Sequence, residues 1–216
     1  MTQSMPAVAS PGGSEERASA MLRRCTSEAH AATEGTAISR ALAAAELGRA
    51  DYRRVLEVHR VLSDNVRPAP GAETWPGWAR SGFAQQRRCL EADLAMLGQP
   101  ESPAPAFRAR LEEAQRRTAQ AGRGEAERSG WVYVLAGSAL GARLLLPRLE
   151  VALGARTPLT FYRWQAREGI AHFRQVRAWL DAQLGDPGRR SGALAGARSA
   201  FDTVRALFEA CPPAVA

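Results

Sequence analysis

Three histidines, His30, His59 and His172, are the side chains of this 216-residue chain best suited to bind a metal or move a proton near neutral pH. Leu22, Thr26, His30 and Glu34 are spaced by fours and share one helical face. A histidine on such a face is either a packed or half-exposed core residue or a ligand, and the spacing alone leaves both open. His59 and His172 have no supporting constellation and read as structural. Other chemistries lack their residues. There is no Gly-x-Ser-x-Gly, no phosphate loop and no clustered Cys/His set for zinc, and di-iron bundles need Glu-x-x-His repeats that do not occur. Carboxylate pairs such as Glu112 and Glu113, or Glu125 and Glu127, read as solvated helix faces.

A second feature lies in Gly130-Trp131-Val132-Tyr133-Val134-Leu135-Ala136-Gly137-Ser138-Ala139-Leu140-Gly141-Ala142-Arg143. This stretch reads as a helix, yet Gly137 and Gly141 sit in its interior at a cost of roughly 1 kcal/mol each relative to alanine. With Ser138 and Ala142 they form a strip almost bare of side chains. Such a strip accommodates either a closely packed helix or a flat ligand. It does not read as a membrane span, because Arg143 and Pro147 interrupt it short of the roughly 20 apolar residues needed.

The elements that must position these residues are helices. Alanine, leucine, arginine and glutamate dominate and alternating β-branched runs are missing, so the predicted fold is all-α, a single-domain multi-helix bundle. Helices are expected over about 18–34, with a short one reaching Ala45, then 51–66, 78–97, 106–121 and 126–146. Pro147 is a point of kinking or restart. Thr157-Pro158 reads as the cap and first turn of a helix reaching Leu184, and the last helix spans about 191–210. The linker Pro68-Ala69-Pro70-Gly71 and the stretch 101–105 are loops. Residues 1–18 read as a disordered leader with neither secretory signal nor anchor, 19–211 as the domain and 212–216 as a flexible tail.

Net charge is +7, carried by arginine alone, since no lysine occurs. The arginines are scattered among Asp and Glu without aromatic interleaving, which argues against nucleic-acid binding. Three cysteines, Cys25, Cys89 and Cys211, are far apart and odd in number, which points to reduced thiols and a cytoplasmic location.

The two chemical segments together resemble the heme oxygenases, in particular the bacterial, biliverdin-producing branch. Leu22, Arg23, Thr26, His30 and Glu34 match the family's proximal-helix pattern Leu-Arg-x-x-Thr-x-x-x-His-x-x-x-Glu. Tyr133-Val134-Leu135, Gly137-Ser138, Leu140-Gly141 and Arg143 meet its distal signature Tyr-Val-Leu-Glu-Gly-Ser-x-Leu-Gly-Gly-Arg. The resemblance extends over about 20–210. It implies a heme that is both cofactor and substrate, bound through iron by His30 and opened by dioxygen and external electrons to biliverdin, carbon monoxide and ferrous iron.

On this resemblance, Gly137, Ser138 and Gly141 form the catalytic distal wall, with Tyr133 and Ala142 beside them. Arg23, then Arg174 and Arg177, are the cations for the heme propionates. The implied partners are an electron-donating reductase or ferredoxin and a biliverdin-binding photoreceptor. Ser138 stands where some relatives carry a water-ordering aspartate; it also fits a helix serine bonded to its own backbone. Two departures stand out: Ala136 replaces a Glu and Ala142 replaces a Gly. They favour an alternative, a non-catalytic heme carrier or sensor on the same scaffold. Cys211-Pro212 has the form of a regulatory heme contact but reads as chance in a floppy tail. A thiaminase-like enzyme would need a nucleophilic cysteine with a carboxylate partner, which neither Cys89 nor Cys211 shows.

Overall fold

The computed structural model describes residues 16–66, 75–98, 105–120 and 124–211, which form helices and connecting turns with no strand among them. The Pro68–Gly71 linker, the 101–104 loop, most of the leader and the 212–216 tail lie outside the described residues.

The expected first helix is two: α1 (Ala18–Cys25) and α2 (Ser27–Glu34). They divide at Thr26, whose φ of −114° and ψ of 5° leave the helical range while its Oγ1 donates to Leu22 O at 2.7 Å. α3 (Ala37–Ala44) is capped by Thr36, whose Oγ1 accepts from Ser39 N, and ends on Ala45 in the left-handed conformation. α4 (Arg49–Asn65) buries Tyr52, Val55, Leu56 and Leu62 at helical spacing. α5 (Gly77–Leu97) and α6 (Pro105–Gln120) follow close to their expected bounds.

α7 (Glu125–Gly137) and α8 (Ala139–Leu153) make one long rod that is perturbed at Ser138. Pro147 does not end it, contrary to expectation. The proline is exposed and the helix continues to Leu153, so the lost backbone bond faces solvent. This rod, Glu125–Leu153, is the one helix among the described residues long and apolar enough to cross a membrane by composition. Half of its apolar window is buried by other helices, the pattern of a core helix.

Thr157 caps no helix. Its Oγ1 bonds back to Leu153 O, and α9 (Thr160–Trp164) begins three residues later. Its starting amides are held by a carboxylate from another helix. Asp93 of α5, with no exposed surface, accepts from Thr160 N at 3.0 Å and Phe161 N at 2.9 Å. A π-helical turn, Gln165–Gly169, then leads into α10 (Ile170–Gln183). α11 (Pro187–Glu209) starts earlier than expected, because Asp186 caps it through Arg189 N at 2.9 Å and Pro187 occupies its first turn.

α11 lies against α7 at backbone contact. A Cβ on Gly130 would sit 2.0 Å from Ala193 O, and one on Gly196 would sit 1.9 Å from Glu127 O. The core around this pair includes Trp131, Leu135, Ala193, Ala197 and Phe208. Cys211 is also buried here, so the end of the chain up to that residue is packed, not floppy. Burial pushes the Cys211 thiol up.

Candidate functional site

His30 stands in the middle of α2, a helix with no buried residue. Its side chain is 56% exposed, with Nδ1 3.4 Å from Glu34 Oε2 one turn away. Its ring meets the edge of Phe201 of α11 at a centroid distance of 5.6 Å. Glu34 flanks Nδ1 and the Phe201 edge flanks the ring. His30 is not packed in the core, and its exposure fits both the half-exposed reading and a ligand. The packed-core reading does describe the other two histidines.

His59 stacks on Phe161 at 4.8 Å, and His172 lies among Phe83, Trp78 and Trp164. Burial lowers both to about 4, so they are neutral at pH 7.

Gly137 and Gly141 behave differently from Gly130. A Cβ on Gly137 would meet only the Phe173 ring at 3.6 Å, and one on Gly141 only Leu145 of its own helix at 3.6 Å. Both are ordinary contact distances, and both residues are half-exposed. Phe173 of α10 rests beside Gly137, and no backbone of another helix crowds either glycine. Helix packing thus accounts for Gly130, while Gly137 and Gly141 are not required by backbone contact with another helix.

Ser138 sits at the perturbation between α7 and α8. Its hydroxyl donates to Leu135 O at 2.7 Å and accepts from Gln165 Nε2 at 3.2 Å. The backbone-bonded reading of Ser138 is present, and the serine also accepts from a side chain across the junction. Gln165 was not legible in the sequence as a site residue. Ala142 has no exposed surface and belongs to the hydrophobic core, so its methyl group does not stand on the open side of the strip. Ala136 is likewise buried, where a glutamate would need a partner.

Tyr133 of α7 is half-buried and stacks on Phe173 at 6.0 Å. Burial raises its phenol, and the positive charges of Arg177 and Arg23 partly oppose this, which brings residues from α7, α10 and α1 to one place. Arg177 Nε also reaches Ser19 Oγ at 3.5 Å. Arg23, Arg174 and Arg177 are all exposed, and no ion pair is formed by Arg23 or Arg174 among the described residues. A cavity of about 580 Å³ between α6 and α11, bordered by Arg110, Arg117, Arg198 and Arg205, contains none of these residues. No cluster of three or more His, Cys, Asp or Glu able to hold a metal occurs among the described residues, so any iron bound through His30 needs its other ligands from elsewhere.

These residues lie in an all-α bundle, with His30 exposed on one helix and Gly137 and Gly141 half-exposed on another. The Heme oxygenase family model matches residues 16–210, and the chain belongs to that family of enzymes. It is 32% identical over 136 residues to a heme oxygenase of Xanthomonas campestris pv. campestris, covering 61% of this chain and 70% of that one. Its fold is similar to that of heme oxygenase from Leptospira interrogans, with a TM-score of 0.66 at 18% identity, covering 90% of this chain and 99% of that one. Heme oxygenase-1 of Synechocystis, solved in complex with heme, superposes with a TM-score of 0.64 at 16% identity over 89% and 91% of the two chains.

Proposed function

We propose that this chain opens heme oxidatively to biliverdin with release of carbon monoxide and ferrous iron. One observation supports the reading: Gly137 and Gly141 leave a half-exposed strip with only the Phe173 ring and Leu145 beside it, in a chain that also carries an exposed imidazole at His30. Both residues fit heme, a flat macrocycle needing one axial nitrogen and close backbone approach. When bound, heme supplies both the iron that takes up dioxygen and the ring that is oxidised.

The chain's own residues bind and orient. His30 ligates through Nε2 while Glu34 holds Nδ1–H and raises the basicity of the ring. Arg23 and Arg177, with Tyr133 between them, receive the propionates, and Arg174, one turn from Arg177, is a further cation for them. Gly137 and Gly141 let the α7–α8 backbone approach the ring. With heme bound, Ser138 would help hold water beside the glycine strip. Ala142, buried behind the strip, acts through the path of the rod. Electrons come from an external reductase or ferredoxin, the pigment passes to a biliverdin-binding photoreceptor, and the reaction takes place in the cytoplasm.

The test adds hemin to the purified protein, then a reductant in air, and follows the visible spectrum. Conversion to bile pigment is expected. A stable hemin complex that yields none would support the carrier or sensor reading favoured by Ala136 and Ala142. Failure to bind hemin would reject both.

A further inference from the structure

We infer that Gln165 is a positioning residue of the distal wall, setting how strongly the Ser138 oxygen accepts and hence what that wall offers to a water beside a bound heme. The inference rests on the heme reading above for its consequence, and on the fold alone for its geometry.

Gln165 opens the π-helical turn and has no exposed surface. π-helical turns are rare and persist where their surroundings hold them. This one is held against the α7–α8 junction. At its far end, a Cβ on Gly169 would lie 2.6 Å from the Cβ of Ala139, the first residue of α8. At its near end, Gln165 Nε2 donates to Ser138 Oγ at 3.2 Å.

The orientation of the carboxamide is determined by its partner. Ser138 has one proton, and it is committed to Leu135 O at 2.7 Å. Its oxygen can therefore only accept from Gln165, so the amide nitrogen and not the carbonyl faces it. One lone pair of Ser138 Oγ remains, and it makes the serine an acceptor. Gln165 Oε1, on the other side, is buried with no protein hydrogen-bond partner. A leucine would fill the same volume without that cost, so packing alone does not account for a glutamine here. An oxygen of this kind takes a buried water, which extends the network behind the distal wall.

An acceptor facing a water on ferric heme favours the protonated water over hydroxide. Without Gln165 the Ser138 proton stays on Leu135 O while its oxygen loses a donor, so the oxygen accepts more strongly and the balance moves further toward water. The experiment uses hemin complexes of the full chain and reads the pH midpoint of the ferric visible spectrum. Gln165→Leu is expected to raise the midpoint by about 0.5 to 1 unit, the equivalent of one neutral hydrogen bond. Gln165→Glu adds a negative charge and raises it. Gln165→Met serves if the leucine variant does not fold.

Midpoints unchanged in the folded variants, with histidine ligation intact, would overturn the inference. A heme-free arm separates it from the function. In the apo protein, Ser138→Ala should shift the Gln165 side-chain amide resonances, and unmoved resonances also overturn it. Shifted resonances in a protein that binds no hemin would leave the positioning contact standing and the heme reading refuted.

Discussion

Gly196 of α11 lies directly under the Glu127 carbonyl of α7, so close that a methyl group on the glycine would fall 1.9 Å from that oxygen. Gly130 stands in the reciprocal position against Ala193 O, and a Cβ on Gly192 would fall 2.9 Å from that of Ala126. The obstructing atoms at Gly130 and Gly196 are backbone, which cannot rotate away. Substituting Gly196→Val or Gly130→Val should therefore cost more than the roughly 1–3 kcal/mol usual for an overpacked core. Urea denaturation checks this. Gly141→Ala, whose Cβ meets only Leu145 at 3.6 Å, should leave stability unchanged or slightly raised, since it removes a helix-interior glycine. If the heme reading is right, its cost is in hemin affinity instead.

His30→Ala should separate function from folding in the same way. The side chain is 56% exposed and its contacts are Glu34 and the edge of Phe201. Its loss should change stability by about 0.5 kcal/mol or less, while the axial-histidine signature of the hemin complex disappears. Glu34→Gln keeps the shape but weakens the hold on Nδ1. It should retain ligation and bind hemin more weakly, by about 10-fold if it behaves like other groups that orient a metal-bound histidine. A wild-type spectrum in His30→Ala would refute the assignment.

The helical class was legible because it depends on local composition and spacing, and the two chemical segments were legible through their resemblance to family motifs. His30 with Glu34 is an i,i+4 pair, and Gly137 with Gly141 is another. What could not be read was which small-residue pair meets a helix. Gly192 and Gly196 carry the same four-residue spacing as Gly137 and Gly141, and only the three-dimensional path shows that the first pair is consumed by α7 and the second is not. The division at Thr26, the continuation through Pro147 and the π-helical turn at Gln165 were hidden for the same reason. Each is settled by what lies across from it, such as solvent beside Pro147 or Ser138 beside Gln165. The role of Asp93 in starting α9 was hidden too, being a contact across 67 residues.

Asp93 provides a third test. Its two oxygens take the Thr160 and Phe161 amides, and the Tyr52 hydroxyl donates to Oδ2 at 3.5 Å. The carboxylate and burial together raise the Tyr52 phenol, so that proton stays on tyrosine. Asp93→Ala would leave both amides without acceptors in the interior, at roughly 1–3 kcal/mol each. Asp93→Asn keeps one acceptor oxygen and should cost less. The order wild type, Asn, Ala in denaturation midpoint is the expected outcome, and equal midpoints for all three would show that water replaces the carboxylate.

Acid sensitivity should originate in His59 and His172. Burial lowers both buried rings from 6.5 to about 4, and no charged neighbour contributes to either shift. Between those values the unfolded chain binds protons that the native state refuses. Their stabilising effect is complete above about pH 6.5 and is lost as pH falls toward 4, at about 1.4 kcal/mol per unit for each ring. The neutral forms have their own cost, because His59 Nδ1 and His172 Nε2 are buried without a protein partner. Replacing His59 by Phe removes both the orphan nitrogen and the proton it would take up, and keeps the aromatic contact with Phe161. His59→Phe should therefore flatten the dependence of stability on pH between 6.5 and 4 by about half. Urea midpoints measured across that range decide it: a slope equal to that of the wild type would show that the ring is not held neutral in the native state.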